Sequence, residues 1–145
     1  MIGLIQRVKY ANVKVSGEII GQIDQGILVL IGFQKDDDKK NLAKLSHKLI
    51  NYRIFSDDKN QMNLSVKDIQ GGLLLIPQFT LAADTSKGLR PGFSSACNPS
   101  IANELFNQFV EMVKENHLHV ETGQFGADMQ VELINDGPVT FALEV

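Results

Sequence analysis

Four consecutive large aliphatics, Leu73 to Ile76, follow Gly71-Gly72 and stop at Pro77. A run so short and so apolar predicts a strand buried on both faces. Pro77 has no N–H to give a neighbour, so it marks a strand end, an edge or a bulge. The polar groups of Gln78, Phe79 and Thr80 follow at once. N-terminal to this stretch, Met1 to Val8 and Ala11 to Val15 predict one long strand or two in tandem, with Val13 and Val15 alternating against Asn12 and Lys14. Ser16-Gly17 predicts a turn, Glu18 to Ile23 a return, Asp24-Gln25-Gly26 a second turn and Ile27 to Phe33 a central strand, together a β-meander. Leu42, Leu45 and Leu49 recur at helical spacing behind Asp36-Asp37-Asp38, which suits an N-cap and first turn better than a metal site.

Tyr52 to Phe55 reads as extended, Ser56 to Gln61 as a polar turn and Met62 to Leu64 as a short returning strand. Ser86 to Asn98 holds Gly88, Pro91 and Gly92 with little periodicity, and predicts an ordered loop folded over a site or a partner. Asn98-Pro99 suits the start of a second helix with Ile101, Leu105, Phe109 and Met112 on one apolar face, ending near Asn116. Thr122 to Asp128 is a glycine-punctuated approach to Met129, Val131 and Leu133. Asn135 to Pro138 then predicts a turn, and Val139 to Val145 the second arm of a final hairpin. The expected class is α/β: a mostly antiparallel, barrel-like sheet with two helices in a single domain spanning residues 1–145.

At 145 residues and 43% hydrophobic content the chain supports one ordinary core. No apolar run approaches the roughly 20 residues of a membrane span, and the first residues lack the pattern of a signal peptide, so a cytoplasmic protein is expected. Cys97 is the sole cysteine, which excludes an internal disulfide and suits a small half-buried thiol. A net charge of −3 argues against a broad nucleic-acid-binding face, leaving room only for a small basic patch. His47, His117 and His119 lack zinc-ligand spacing, and neither a Gly-x-Ser-x-Gly turn nor a nucleotide-binding glycine loop is present. At the strand end, the Gln78 amide, the Thr80 hydroxyl and nearby backbone N–H groups could hold a carbonyl or oxyanion; they could equally satisfy local backbone groups.

Several segments together resemble the bacterial-type D-aminoacyl-tRNA deacylases along essentially the whole chain. They are Ile5-Gln6-Arg7-Val8, Tyr52-Arg53-Ile54-Phe55-Ser56-Asp57, Gln78-Phe79-Thr80-Leu81, Leu89-Arg90-Pro91, Thr122-Gly123, Ala127-Asp128-Met129 and Asn135 to Thr140. The resemblance implies an enzyme that hydrolyses the ester of D-aminoacyl-tRNA, and of mischarged glycyl-tRNA, as chiral proofreading in translation. It implies a homodimer, with Gln78, Phe79 and Thr80 of one subunit as the catalytic strand end and a cis Gly137-Pro138 of the other as the chirality filter. The tRNA 3′ end, with the terminal 2′-hydroxyl assisting water, is the partner, and neither cofactor, metal nor membrane is expected. On this reading Arg7 braces Gly137-Pro138, and Met129 lines the terminal adenosine pocket or is simply a core methionine. The family often carries Ser just before Gln-Phe-Thr; Pro77 stands there instead, so no hydroxyl is available at that position. A non-catalytic nucleic-acid module using Arg7, Lys87 and Arg90, or a hydrolase of another small ester or amide, remain alternatives.

Overall fold

The structure, a computed structural model, describes residues 1–145. Its elements in order are β1 (Ile2–Val15), β2 (Glu18–Ile23), β3 (Gly26–Gly32), α1 (Lys39–Asn51), β4 (Phe55–Ser56), β5 (Met62–Leu64), β6 (Gly72–Pro77), a 3₁₀ turn (Phe79–Ala82), α2 (Pro99–Lys114), β7 (Val120–Thr122) and β8 (Met129–Glu144). Six strands form one sheet in the order β2-β1-β3-β6-β7, with β8 on the other edge of β1, and β4 and β5 form a small separate hairpin.

β1 is a single strand and the hub of the sheet. The predicted meander is corrected: β2 and β3 do not pair with each other. Both lie antiparallel along one edge of β1, Val15 opposite Glu18, Val8 opposite Gly26 and Ile2 opposite Gly32. Asp24-Gln25 therefore interrupts an arm of one long hairpin and does not reverse the chain. The predicted final hairpin is also corrected. β8 runs antiparallel to β1 from Val15↔Met129 to Ile2↔Glu144, and Asn135 to Pro138 bulge out of a continuing strand. Both irregularities fall at the level of Arg7 to Tyr10. Turn-forming residues gave the same sequence signal for a bulge as for a turn.

These interruptions let β1 change cores. Ile5, with Val29, Ile31, Leu73, Leu75 and Leu143, packs under the two helices, whereas Val8, Ala11 and Val13, with Ile23, Leu28, Leu74 and Ile76, fill the inside of the barrel-like curl. Opposite β8, β1 carries one extra residue between Val8 and Tyr10, which takes its later side chains to the other face. β6 is buried on both sides, as its apolar run predicts, and it pairs parallel with both β3 and β7. Parallel pairing follows from the connections: α1 and the small hairpin lie between β3 and β6, and α2 lies between β6 and β7. Gly26 faces Gly72 across the β3/β6 pair so closely that a Cβ on Gly26 would stand 1.9 Å from the Gly72 carbonyl oxygen.

α1 begins with a reciprocal cap: Asp38 accepts from the N–H groups of Lys40 and Asn41, and Asn41 Oδ1 accepts from the Asp38 N–H. Asp37 does something else. Its carboxylate holds the Met1 ammonium at 2.5 Å. Asn98 caps α2, whose buried face is Ala102, Leu105, Phe106, Phe109, Val110 and Val113. Ile101, predicted inside, lies on the exposed flank of that stripe.

Candidate functional site at the end of strand β6

The pairing of β6 with β3 ends at Pro77↔Ile31, and the Gln78 N–H makes one last bond to the Ile31 carbonyl at 2.7 Å. The chain then tightens into the 3₁₀ turn, whose later N–H groups are satisfied locally: Leu81 donates to Gln78 and Ala83 to Thr80. The N–H groups of Phe79 and Thr80 open that turn, ahead of the first residue that can reach back to one of its carbonyls. Two adjacent donors at the start of a turn are the kind of group that can receive a developing oxyanion. The Gln78 Nε2 donates to Thr80 Oγ1 at 2.5 Å, tying the two polar side chains together.

Phe79 is 59% exposed, and its ring lies against Phe93 with centroids 5.1 Å apart. Phe93 belongs to the predicted loop, and this is how the loop supports the site. Ser95 adds a hydroxyl bond to the Ala82 carbonyl at 2.6 Å. The tip does not fold over: Ser86 to Pro91 are exposed, Leu89 completely. Near its start, hydrogen bonds from the Ser86 hydroxyl and N–H hold the Asp84 carboxyl below the usual range. Met129 reaches the same neighbourhood. Its sulfur accepts from the Gln124 N–H at 3.4 Å, and a Cβ on Gly123 would lie 2.8 Å from that sulfur, 3.0 Å from Ile76 Cδ1 and 3.4 Å from Pro77 Cδ. Met129 thus lies near Ile76 and Pro77, across Gly123, while packing against the barrel core.

Arg7, Gly137 and Pro138 form a second cluster. The Gly137–Pro138 peptide bond is cis, and Gly137 has φ +145°. Arg7 Nε donates to the Asp136 carbonyl at 2.8 Å and Nη1 to the Ile54 carbonyl at 2.6 Å. One guanidinium fork therefore fastens the bulge to the segment after α1. Asn135 closes it from within, its Oδ1 accepting from the Val139 N–H at 2.6 Å and its Nδ2 donating to Thr140 Oγ1 at 2.9 Å. Sequence reasoning read Asn135 as turn chemistry and missed this clip, as it missed Phe93 and Ile54; only pairing across the sheet brings these residues together.

The two clusters do not meet within one chain. Pro77 lies level with Ile31 and so with Gly3 on β1, whereas Arg7 lies level with Ile27 and so with Leu73 on β6. Four strand positions and three strand spacings separate them, about 13 Å along the sheet and about 14 Å across it. Cys97 offers no alternative nucleophile at neutral pH: burial and then the Asp37 charge push its thiol up. No group of three or more His, Cys, Asp or Glu is placed to hold a metal ion, and no helix is long and apolar enough to cross a membrane.

Residues 4–144 match the family model described as D-Tyr-tRNA(Tyr) deacylase. The chain belongs to that family. Relatives named D-aminoacyl-tRNA deacylase are 59% identical in Pseudoalteromonas translucida and 55% identical in Pseudomonas putida, each aligned over the whole of both chains. A solved structure named c-Myc DNA Unwinding Element Binding Protein superposes with TM-score 0.96 at 38% identity, covering 100% of this chain and 99% of that one. Another, described as a probable eukaryotic D-amino acid tRNA deacylase, superposes with TM-score 0.86 at 18% identity over 99% of this chain and 98% of that one, and shares the fold. Both solved structures thus share the fold of this chain.

Proposed function

We propose that the chain hydrolyses the ester between a D-amino acid, or glycine, and the 3′ end of tRNA, and spares L-aminoacyl-tRNA. Family membership supplies the coarser part, a D-aminoacyl-tRNA deacylase. The observation that carries the chemistry is the position of the Phe79 and Thr80 N–H groups, which open the 3₁₀ turn directly at the end of β6. Water adds to the ester carbonyl, these two donors receive the oxyanion, and the carbonyl-to-ribose-oxygen bond breaks to give the free amino acid and the tRNA hydroxyl. An aminoacyl ester is already an activated acyl group, so positioned donors and water suffice without an enzymic nucleophile. The terminal 2′-hydroxyl is the group best placed to orient that water. Gln78 holds Thr80 and shapes the turn, and Met129 borders the terminal adenosine.

The separation of Gly137-Pro138 from Gln78-Phe79-Thr80 within one chain supports a homodimer in which each bulge enters the other subunit's site. Gly137 adds no side chain, so the tip can approach the substrate α-carbon closely; an L side chain would run into it, and a D side chain would point away. Glycine has no side chain to reject. Such a reaction belongs with translation in the cytoplasm. A second reading, nucleic-acid binding without catalysis, is favoured by the name of the 38%-identical structure and opposed by the net charge of −3. One assay separates them: the purified chain is incubated with D-, L- and glycyl-tRNA. Release of D-amino acid and glycine with the L-ester intact is expected, and rapid L-ester hydrolysis, or no hydrolysis, overturns the proposal.

A further inference from the structure

α1 is a basic element in an acidic chain. Its thirteen residues hold Lys39, Lys40, Lys44 and Lys48 and no Asp or Glu, whereas the whole chain carries 17 acids against 14 Lys and Arg. Lys40, Lys44 and Lys48 follow one another at four-residue spacing, so they form a row on one face with steps of about 6 Å. Lys40 and Lys44 are exposed, Lys48 is half-buried, and none takes part in an ion pair. The helix dipole favours Lys48, in the last turn, but not Lys40, in the first turn, so helix stability does not explain the whole row.

Its position supplies the occupant. Lys44, His47, Lys48, Asn51, Tyr52 and Val145 line an open cleft of about 490 Å³ at the C-terminal part of α1. Tyr52 packs edge-on against Phe141, and Ile54, two residues further, is fastened by Arg7 to the Gly137-Pro138 bulge. Through Tyr52, Ile54 and Arg7 the C-terminal end of the row is thus connected to the loop assigned to the substrate's reacting end. We propose that Lys40, Lys44 and Lys48 take the sugar-phosphate backbone of the tRNA acceptor arm, next to the pocket that their own subunit's bulge enters. This rests on the deacylase reading. In a chain of net negative charge, attraction for RNA has to be local, and this row is spaced on the scale of successive phosphates.

The test compares Lys40→Gln/Lys44→Gln/Lys48→Gln, the same three positions as Arg, and the unmodified chain. Substrates are D-aminoacyl-tRNA and a D-aminoacyl ester of adenosine, which has no phosphates to reach the row. With the Gln variant, KM for the tRNA is expected to rise at least about tenfold and kcat to stay within about twofold, while the slope of log KM against log salt falls by about 2. The Arg variant restores KM, and the adenosine ester is cleaved equally by all three. An unchanged KM and salt slope for the tRNA overturns the proposal, as does equal loss on the adenosine ester. Anisotropy with uncharged tRNA and with a DNA duplex judges the row without hydrolysis: weaker tRNA binding by the Gln variant supports it even if the deacylase reading fails, and equal loss on both nucleic acids overturns its assignment to tRNA.

Discussion

Thr80 carries the one hydroxyl on the turn proposed to bind the oxyanion, and its partner is the Gln78 amide, which cannot act as a base. Thr80→Ala is therefore expected to lower kcat by less than about tenfold in single-turnover assays, since a nucleophile or proton carrier would account for about 10² or more. A trapped acyl-Thr80 intermediate would sink the backbone-donor mechanism. Gly137 is the opposite case, where the absent side chain matters. A Cβ there would lie 2.6 Å from Val139 Cγ2 and 3.1 Å from Arg7 Nη2, and φ +145° disfavours any L residue. Gly137→Ala should destabilise the fold by about 1–3 kcal/mol in urea unfolding and lower the ratio of D to L hydrolysis. An unchanged ratio in the folded variant would remove the bulge from substrate choice. Only the family resemblance singles out either residue as a candidate, because a Gln-Phe-Thr tripeptide and a Gly-Pro pair have ordinary structural readings on their own.

Among the elements, the helices and β6 were legible in the sequence because apolar spacing alone defines them. The strand connectivity was less so: Asp24-Gln25 and Asn135 to Pro138 contain the residues of reversing turns, yet the chain continues in its direction past each. What decides is the length of uninterrupted pairing offered by β1, a property of the partner strand and not of the local sequence. The small β4/β5 hairpin has its own pH signature. A backbone N–H of Gln61, then the Asn63 side chain, hold the Asp57 carboxyl below the ordinary aspartate range. Its stabilising contribution is present above the unfolded value of about 3.9 and is lost as pH falls through the lower folded value. Stability of Asp57→Asn should therefore change less than that of the unmodified chain between about pH 5 and pH 3, as read by urea unfolding. An identical slope would show that this turn opens before its carboxyl is protonated.

For the whole molecule, Phe79, Phe93, Ile134 and Phe141 are large apolar side chains left partly open to water, and a partner subunit would cover them. With the turn proposed to be catalytic and the bulge held apart in each chain, a two-fold pair is expected to be the active species. Sedimentation equilibrium at assay concentration should give twice the chain mass, and a fully active monomer would end the cross-subunit scheme.

β1 is also the strand whose partners lie furthest apart in the chain: it pairs with β2 and β3 just after it, and with β8 at Ile2↔Glu144. During synthesis the first three strands leave the ribosome early and can close their hairpin, but one whole edge of β1 stays unpaired until β8 has emerged. Closing that loop is entropically slow, so such a topology folds late and all at once. The nascent chain meanwhile presents an open edge on which a second unfinished copy could pair, which makes the interval before β8 arrives its period of greatest exposure to aggregation and to chaperones.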